Sequence, residues 1–279
     1  MKIVKKIAEL KRLIKQIKYK KKTVGFVPTM GYLHEGHLSL IRIAHKHSDY
    51  VVCSIFVNPT QFGPNEDFNR YPRDLKRDEG LLKKEKVDML FYPSVKEMYP
   101  DGYKTYVEVE ELSSVLCGKS RPGHFRGVAT VVLKLFNIVK PDIAVFGEKD
   151  YQQAMIIKQM VKDLNLDVKI ITGPIVRESD GLAMSSRNTY LSPEERTNAT
   201  VLYKALTWAR NSFYQENIKS PEYLITQMKH MIEEKGGQVD YIVIVDKNDL
   251  TPVRFIKKGD RILLAAFFGR TRLIDNLEI

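Results

Sequence analysis

Two histidines three residues apart are the residues with the clearest chemical use. His34 and His37 lie in VPTMGYLHEGHLSLI, residues 27–41, which joins an apolar run to an amphipathic pattern. The run TVGFVP predicts a strand buried on both faces, and the apolar spacing after Gly36 predicts a helix. A helix start offers unpaired N–H groups and partial positive charge, which favour phosphate. Both imidazoles can donate a hydrogen bond to the same phosphate group there.

Other interpretations compete with phosphate binding. An HxxH pair alone is common at surfaces and caps, where His34 would only close the turn. HEGH is one residue short of the zinc-protease pattern HExxH, in which the histidines share one helix face. The chain contains neither the P-loop pattern nor GxGxxG, and Gly31 and Gly36 also suit a plain tight turn. The rest of the chain must therefore decide the function of the pair.

Composition narrows the class of protein. The 279 residues, 43% of them hydrophobic, are enough for one large or two modest globular domains. Lys and Arg outnumber Asp and Glu by 45 to 34, and the formal charge of +11 favours anionic partners such as nucleotides or nucleic acid. The two cysteines, Cys53 and Cys117, fit neither a disulfide framework nor a zinc site, so a reducing cytoplasm is the expected location.

The N-terminal segment predicts a basic amphipathic helix. Its apolar residues recur every three or four positions: Ile3, Ile7, Leu10, Leu13, Ile14 and Ile17. Such a helix can lie on a membrane surface, but it more often packs on its own domain, which is the preferred interpretation. We find no signal peptide and no transmembrane run, and we expect no membrane partner.

Strands alternate with helices over most of the chain. After the histidine motif, strands are expected at YVVCSIFV (50–57), VDMLFYP (87–93), IAVFG and VKIITGPIV, with helices at 72–86, up to about 139 and at 151–164. Residues 94–124 are less regular, with an expected strand at TYVEVE and a short helix at LSSVL. This alternation predicts a Rossmann-like, doubly wound and mostly parallel α/β sheet. The HEGH turn, the NPTQFG loop and GEKD would then share the carboxyl edge of the sheet, where ligands bind.

The character of the chain changes near residue 177. Two helices, at about 194–215 and 221–235, precede the strands YIVIV and RILLAAFF. We therefore expect a Rossmann-like domain over 1–176 and a smaller α+β domain over 177–279. The segment MSSRN would lie at the hinge, from which the smaller domain could close over the site.

Five motifs together are far more specific than any one. PTMGYLHEGH, FVNPTQF, GHFRGV, FGEKDYQQ and GLAMSSRN resemble, in order and spacing, the pantothenate synthetase (pantoate–β-alanine ligase) family over essentially the whole chain. They are also the form that the HIGH and KMSKS signatures of the nucleotidyltransferase superfamily take in that family. The resemblance implies ATP- and Mg²⁺-dependent condensation of pantoate with β-alanine through a pantoyl adenylate, releasing AMP and pyrophosphate. It also implies a homodimer with small-molecule substrates and no nucleic-acid partner.

Carried over by position, the resemblance implies a nucleotide site with His37 as proton donor and His34 beside it. A cation such as Lys149 suits a phosphate, and Asp150 suits ribose or Mg²⁺, although the metal ligands themselves stay unidentified. The hydroxyls and guanidinium of MSSR suit the outer phosphates, and Val176 would meet adenine through its backbone. The residues expected to contact ATP are Met30, Gly31, Tyr32, Leu33, His34, Glu35, Gly36, His37, Gly147, Glu148, Lys149, Asp150, Val176, Met184, Ser185, Ser186 and Arg187.

Two glutamines are the expected pantoate ligands by the same resemblance. Gln61 and Gln153 can both donate and accept, which suits a substrate with two hydroxyls and a carboxylate. Gln61 also borders the expected β-alanine position. Asn58 and Arg126 are further substrate-binding candidates.

Two other functions stay open. Another adenylyltransferase of the superfamily would share the histidine turn but would show no β-alanine-dependent AMP release. An RNA-binding module related to the synthetases with these signatures is suggested by the charge of +11, yet no aromatic-basic recognition motif supports it. Salt-sensitive tRNA retention without turnover would favour that module.

Overall fold

Apolar runs with little alternation build the larger sheet, because its strands are covered on both faces. A computed structural model describes residues 1–64 and 66–279. The strands of this sheet are β1 (Lys2–Val4), β2 (Val24–Thr29), β3 (Tyr50–Ile55), β4 (Met89–Phe91), β5 (Ile143–Gly147) and β6 (Lys169–Gly173). All five strand pairings are parallel.

The strand order places the histidine motif at the point where the sheet changes direction. The order is β1-β4-β3-β2-β5-β6, so the chain winds one way from β2 and the other way from β5. The carboxyl ends of β2 and β5 flank the crevice in which doubly wound sheets bind ligands. The predicted α/β class is confirmed.

Helices cover this sheet. They are α1 (Ile7–Tyr19), α2 (Glu35–His47), α3 (Leu75–Lys84), α4 (Val95–Met98), α5 (Cys117–Ser120), α6 (His124–Val139) and α7 (Tyr151–Asp163). Helix α6 is apolar on most sides, and accordingly most of its residues are buried. It ends at Lys140, which has a left-handed backbone, just before Pro141, which disfavours further helix.

The C-terminal elements form a second core. They are α8 (Pro193–Asn198), α9 (Val201–Glu216), α10 (Pro221–Glu233), β7 (Gln238–Val245), β8 (Arg261–Phe268) and β9 (Thr271–Glu278). The three strands are antiparallel in the order β7-β8-β9. Side chains of α9 and α10 share a hydrophobic cluster with those of the central strand β8, as the α+β expectation requires.

The chain forms two compact units. The larger consists of Met1–Glu148 and Ile156–Pro174, and the smaller of Lys149–Met155 and Ile175–Ile279. One feature departs from the expected single boundary near residue 177, because the segment 149–155 belongs to the smaller unit. Contacts of that segment with β9, described below, account for the difference.

Four local predictions were wrong. TYVEVE is not a strand: the Val107 N–H donates to Thr130 Oγ1 of α6 at 2.9 Å, so no neighbouring strand receives it. LSSVL forms turns, and the helix begins only at Cys117. Ile3 belongs to β1 and not to the first helix. The helix expected over 194–215 is two helices, interrupted at residues 199–200.

Candidate active site

The histidine turn, residues 29–37, connects β2 to α2. Thr29 Oγ1 donates to the Ser54 carbonyl at 2.8 Å and accepts from the Gly31 N–H at 3.2 Å. Gly31 has a φ of +84°, and a Cβ there would lie only 2.9 Å from Ile55 Cγ2. A glycine is therefore required for the turn to run this close to β3.

A buried carboxylate on α3 holds the middle of the histidine turn. Asp78 Oδ2 accepts from the Tyr32 N–H at 2.7 Å, and Oδ1 accepts from the Leu33 N–H at 2.8 Å. Tyr32 has a φ of +48°, a region that residues with side chains rarely occupy, and the Arg77 guanidinium lies 4.9 Å from its ring centroid. Burial raises the pKa of Asp78, while the two N–H donors oppose that rise. The carboxylate thus stabilises a strained turn directly before the histidines.

The two imidazoles lie together with a defined proton position. Their ring centroids are 4.1 Å apart at an interplanar angle of 44°. The His34 N–H donates to His37 Nδ1 at 3.3 Å. Because Nδ1 accepts, the proton of a neutral His37 must lie on Nε2. In this neutral form His37 can donate a hydrogen bond from Nε2.

Two side chains within the expected ATP-binding block serve the fold. Leu33 is fully buried in the hydrophobic core of the larger unit. Glu35 pairs with Arg42, which also pairs with Glu85, and these carboxylates raise the pKa of Arg42. Contacts to a nucleotide from this block would thus come from the histidines, Met30 and the backbone.

Gln61 is a buried residue with an oriented amide. Asn58 Oδ1 accepts from Tyr99 Oη at 2.9 Å and from Thr60 Oγ1 at 3.0 Å, so Asn58 Nδ2 is free to donate to Gln61 Oε1 at 2.9 Å and to the Gly127 carbonyl at 3.1 Å. Burial raises the pKa of Tyr99 to about 12, which keeps its hydroxyl a donor. The amide oxygen of Gln61 is thereby engaged, and Nε2 is the end that can donate to a substrate. Asn58 orients Gln61 with all its polar groups used inside the protein.

The backbone of Gln61 is held from α6 and the turn before it. Its carbonyl accepts from His124 Nδ1 at 2.8 Å and from Arg121 Nη2 at 3.3 Å. Arg121 also forms a two-pronged ion pair with Glu66, at 2.7 and 2.6 Å. Sequence reasoning selected Arg126 of GHFRGV, which is exposed and stacks on Tyr106 at 4.0 Å. It missed Arg121. The only indication of its role in the sequence was its position just before the Pro-Gly pair that precedes α6.

The loop after Gln61 packs through its aromatic side chains. Phe62 contacts Phe68 and Tyr71 edge-on, with centroids 5.4 and 5.9 Å apart. Arg73 donates to the Tyr71 and Phe68 carbonyls at 2.9 and 2.8 Å. Asn65, within this loop, lies outside the described residues.

A cavity of about 220 Å³ lies between this loop and the ends of β2, β3 and β4. Its charged wall residues are already bound within the protein: Asp78 holds the histidine turn, Asp74 caps α3, and Arg73 binds loop carbonyls. These charged side chains therefore stabilise the cavity wall, which Met30, Gly31 and Tyr32 of the histidine turn also line.

The end of β5 supplies two further candidates of the larger unit. Gly147 is the last residue of β5, next to β2 in the sheet, and Glu148 Oε1 accepts from Thr172 Oγ1 of β6 at 3.4 Å. Gly147 and Glu148 therefore lie at the same switch point as the histidine turn.

The smaller unit contains the remaining candidates. The Lys149 Nζ lies 4.0 Å from Asp150 Oδ1, and Asp150 is about half exposed. Gln153 is partly exposed in the first turn of α7. These three residues belong to the segment 149–155.

The serine–arginine segment, residues 176–188, folds back on itself. The Met184 N–H donates to the Val176 carbonyl at 3.0 Å, which places these two candidates side by side. Ser185 caps a short 3₁₀ helix, Ser186–Tyr190, by accepting from the Arg187 N–H at 3.2 Å. Its hydroxyl proton can then point outward to a phosphate.

Neither a membrane helix nor a metal cluster is found in the part of the chain that the structure describes. No helix there combines the length and apolar character needed to cross a bilayer. Within the same residues, no three His, Cys, Asp or Glu side chains converge as a metal site.

Comparison with known proteins identifies the family. A family model described as pantoate-beta-alanine ligase matches residues 2–278. The chain belongs to the pantoate–β-alanine ligase family. A pantothenate synthetase of Caldicellulosiruptor saccharolyticus is 57% identical over 284 residues, which cover 100% of this chain and 99% of the relative. This ligase joins pantoate to β-alanine, as the resemblance predicted.

Solved structures of the family share the fold of this ligase. The crystal structure of pantothenate synthetase from Thermus thermophilus matches with a TM-score of 0.91 and 47% identity, over 100% of this chain and 99% of that one. The pantoate–β-alanine ligase of Francisella tularensis, complexed with βγ-ATP and β-alanine, matches with a TM-score of 0.84 and 42% identity over 100% and 97%. The predicted enzyme class and fold are confirmed.

Proposed function

We propose that this ligase activates pantoate with ATP as a pantoyl adenylate and then transfers the pantoyl group to β-alanine. In the first step a pantoate carboxylate oxygen attacks the α-phosphorus and pyrophosphate leaves. In the second step the β-alanine nitrogen attacks the acyl carbon, AMP leaves and the amine loses a proton. The Francisella tularensis ligase, complexed with an ATP compound and β-alanine, supports both substrates for this chain.

The observation that carries the proposal is the histidine turn at the switch point of the sheet. Negative charge develops on the phosphoryl oxygens and on pyrophosphate, so catalysis needs positioned donors and positive charge more than covalent chemistry. His37, with its proton on Nε2, is the proposed donor to the phosphates and His34 its neighbour. Met30, Gly31, Gly36, Gly147 and Glu148 would form the surrounding wall.

The smaller unit would supply further phosphate and nucleotide contacts. Lys149 provides a compact cation, and Ser185, Ser186 and Arg187 provide two hydroxyls and a guanidinium. The paired backbone of Val176 and Met184 is the proposed adenine contact. Mg²⁺ would accompany ATP, with most of its ligands from phosphates and water, and the half-exposed Asp150 carboxylate can supply one oxygen.

Pantoate would be bound by glutamine side chains. Gln61 offers Nε2 to a hydroxyl or carboxylate oxygen, because Asn58 holds its Oε1. Gln153 is the second proposed ligand, and its partial exposure in the first turn of α7 is compatible with substrate contact. Asn58 then acts on pantoate through Gln61, and Arg126 is the weakest candidate because its guanidinium stacks on Tyr106.

The test measures the intermediate. Steady-state AMP formation should need ATP, Mg²⁺, pantoate and β-alanine together. Labelled pyrophosphate should exchange into ATP with pantoate alone, because adenylate formation is reversible. Exchange that requires β-alanine would contradict the separate adenylate.

Replacement of His37 tests its role. His37→Ala should slow single-turnover adenylate formation by about 100-fold or more, the range of general acid–base and phosphate contacts. His47→Ala, in the last turn of the same helix, is the matched control and should retain the wild-type rate. An unchanged rate in His37→Ala, with intact folding by circular dichroism, would remove His37 from the mechanism.

We also propose a homodimer in a reducing cytoplasm. Both cysteines are buried thiols outside any disulfide, and burial raises the pKa of Cys53 to about 12, which disfavours its reactive thiolate. Light scattering of the purified chain measures the assembly, and a mass of one chain would contradict the dimer.

A further inference from the structure

Two adjacent residues of β9 connect segments that are far apart in sequence. Asp275 and Asn276 are almost fully buried, at 2% and 1% exposure. Burial of two polar side chains on an edge strand is costly unless each finds partners. Both find them in other segments of the smaller unit.

Asn276 holds the segment that contains Lys149. Its Nδ2 donates to the Lys149 carbonyl at 3.1 Å, and its Oδ1 accepts from Arg261 Nη1 at 2.7 Å. The Arg261 guanidinium also lies 4.1 Å from the ring centroid of Tyr151, whose hydroxyl donates to the Lys247 carbonyl. Residues 149–151 are thereby fixed on the smaller unit at three points.

Asp275 holds the start of the serine–arginine segment. Arg177 Nη1 and Nη2 bind its two carboxylate oxygens at 2.6 and 3.0 Å. The same guanidinium donates to the Gly181 carbonyl at 3.1 Å and stacks 3.9 Å from the Tyr203 ring centroid. A planar guanidinium with two-pronged and stacked contacts has a single orientation.

Backbone contacts connect the fixed Arg177 to the segment that contains the serines. Arg177 forms a β-bridge with Ala183, one residue before Met184 and two before Ser185. Asn188, on the far side of the serines, donates from Nδ2 to the Ala183 carbonyl at 3.1 Å. The short 3₁₀ helix also packs against β9. The position of Ser185–Arg187 thus depends on Arg177 and, through it, on Asp275.

We propose that Asp275 and Asn276 are positioning residues for ATP, which hold Lys149 and the serine–arginine segment in fixed relation to one another within the smaller unit. Neither side chain contacts substrate in this role. The inference rests on the proposed function of Lys149 and Ser185–Arg187 as phosphate contacts. Lys149 lies in a three-residue 3₁₀ helix and Ser186 and Arg187 lie in a five-residue one. Such short elements benefit from a common support, because mobile donors would lose entropy on binding ATP.

Asn276→Asp is the sharpest test. The carboxylate keeps the volume and can still accept from Arg261, but it replaces the Nδ2 donor with an acceptor that repels the Lys149 carbonyl. The Kd for ATP should rise about tenfold, the effect of one lost buried hydrogen bond. Affinity for β-alanine, whose expected position borders Gln61 in the larger unit, should stay near wild type. Asn276→Gln, which keeps the donor, should recover part of the ATP affinity.

Asp275→Asn tests the second contact. The amide cannot accept from both Arg177 nitrogens, so ATP should again bind about tenfold more weakly. The matched control is Asp240→Asn, which breaks a pair with Arg272, at 3.0 and 2.6 Å, in the same sheet; the two guanidiniums are similarly buried, and Asp240 is more exposed than Asp275. The control should lose stability and keep the wild-type Kd for ATP. If Asp275→Asn does not fold, Asn276→Asp carries the test.

Lys149→Ala separates the proposed phosphate contact of Lys149 from the positioning role of Asp275 and Asn276. Weaker ATP binding in Lys149→Ala, together with wild-type Kd values in Asn276→Asp and Asp275→Asn, would overturn the positioning role alone. Unchanged ATP binding in Lys149→Ala itself would overturn the proposed phosphate contact and the positioning role with it. An equal loss of ATP affinity in Asp240→Asn would show that stability alone governs binding, which also contradicts the proposal.

Discussion

The histidine turn and the serine–arginine segment are held in place by different means. The histidine turn lies between a six-residue strand and a thirteen-residue helix, and its backbone N–H groups donate to the Thr29 hydroxyl and the Asp78 carboxylate. The serine–arginine segment has only a five-residue 3₁₀ helix of its own and depends on Arg177 and Asp275. Regular elements fix the first segment, whereas side-chain pairs fix the second.

The difference follows from the two sheets. In the parallel sheet, the carboxyl end of each central strand leads directly into a turn at the ligand-binding edge. The carboxylate of Asp78, from the distant helix α3, completes the histidine turn. The small antiparallel sheet has no such edge, so its binding segment must be tethered to an edge strand. In the smaller unit, we expect mutation of one anchoring side chain to weaken ATP binding selectively. In the larger unit, we expect such a mutation to reduce both stability and the rate of adenylate formation.

Removal of the Asp78 carboxylate should have the largest effect. Asp78→Ala leaves the buried N–H groups of Tyr32 and Leu33 without their acceptor, at a cost of about 1–3 kcal/mol each. A displacement of the histidines by about 1 Å would slow adenylate formation about 100-fold. Chemical denaturation and single-turnover kinetics measure both effects.

Asp74 on the same helix provides the control for Asp78. Its side chain caps α3 by accepting from the Arg77 N–H at 3.0 Å, so Asp74→Ala should cost about 1 kcal/mol of stability. It should retain the wild-type adenylation rate. Similar rates in the two variants would mean that the histidine turn keeps its shape without Asp78.

Gly127→Ala should have an intermediate effect, on pantoate. An added Cβ would lie 2.2 Å from the Thr60 carbonyl oxygen and 2.9 Å from the Gln61 nitrogen. Overpacking of about 1–3 kcal/mol outweighs the helix propensity of alanine, which favours it by at most about 1 kcal/mol. Gln61 should shift, and the KM for pantoate should rise about tenfold, which steady-state kinetics measures.

A second helical glycine serves as the matched comparison. Gly80 of α3 has open space around its Cβ position. Gly80→Ala should therefore stabilise the protein by about 0.5–1 kcal/mol and leave the KM for pantoate unchanged. An unchanged KM in Gly127→Ala would show that the Gln61 turn adapts, unlike the tethered segment of the smaller unit.

The ion pair of Glu66 and Arg121 should give the smallest effect. Burial raises the pKa of Glu66, but the Arg121 hydrogen bond and charge outweigh it and hold the pKa below its ordinary value of 4.5. A carboxylate whose pKa is lowered in the folded state stabilises the protein at pH values above its ordinary pKa. This stabilisation disappears as the pH falls through the lowered pKa. The pair should contribute less than about 1 kcal/mol.

Glu66→Gln isolates this contribution. The difference in unfolding free energy between wild type and Glu66→Gln should be present at neutral pH, begin to fall near the ordinary pKa of 4.5 and vanish below the lowered pKa of the folded state. A pH-independent difference would mean that Glu66 stabilises the loop by packing alone. The Glu66–Arg121 pair of the larger unit would then stabilise by packing, unlike the charge pair of Arg177 and Asp275.

Local patterns in the sequence were sufficient for five of the six strands of the parallel sheet, all but β1, and for the place of the histidine turn. Buried strands appear in the sequence as unbroken apolar runs, and helices appear as apolar residues that recur every three or four positions. Backbone geometry sets both patterns. Strand β9 was missed because Asp275 and Asn276 interrupt its alternation with buried polar residues. TYVEVE alternates correctly, yet it lies beside α6, where Thr130 takes its N–H.

Tertiary structure alone decided which segments share a support. Nothing near Lys149 in sequence indicates that Asn276, 127 residues away, binds its carbonyl and draws residues 149–155 into the smaller unit. The same holds for Arg121, which sequence reasoning passed over in favour of Arg126. Hydrogen bonds of buried side chains are decided by neighbours that only folding brings together, whereas strand and helix periods are decided by the adjoining residues.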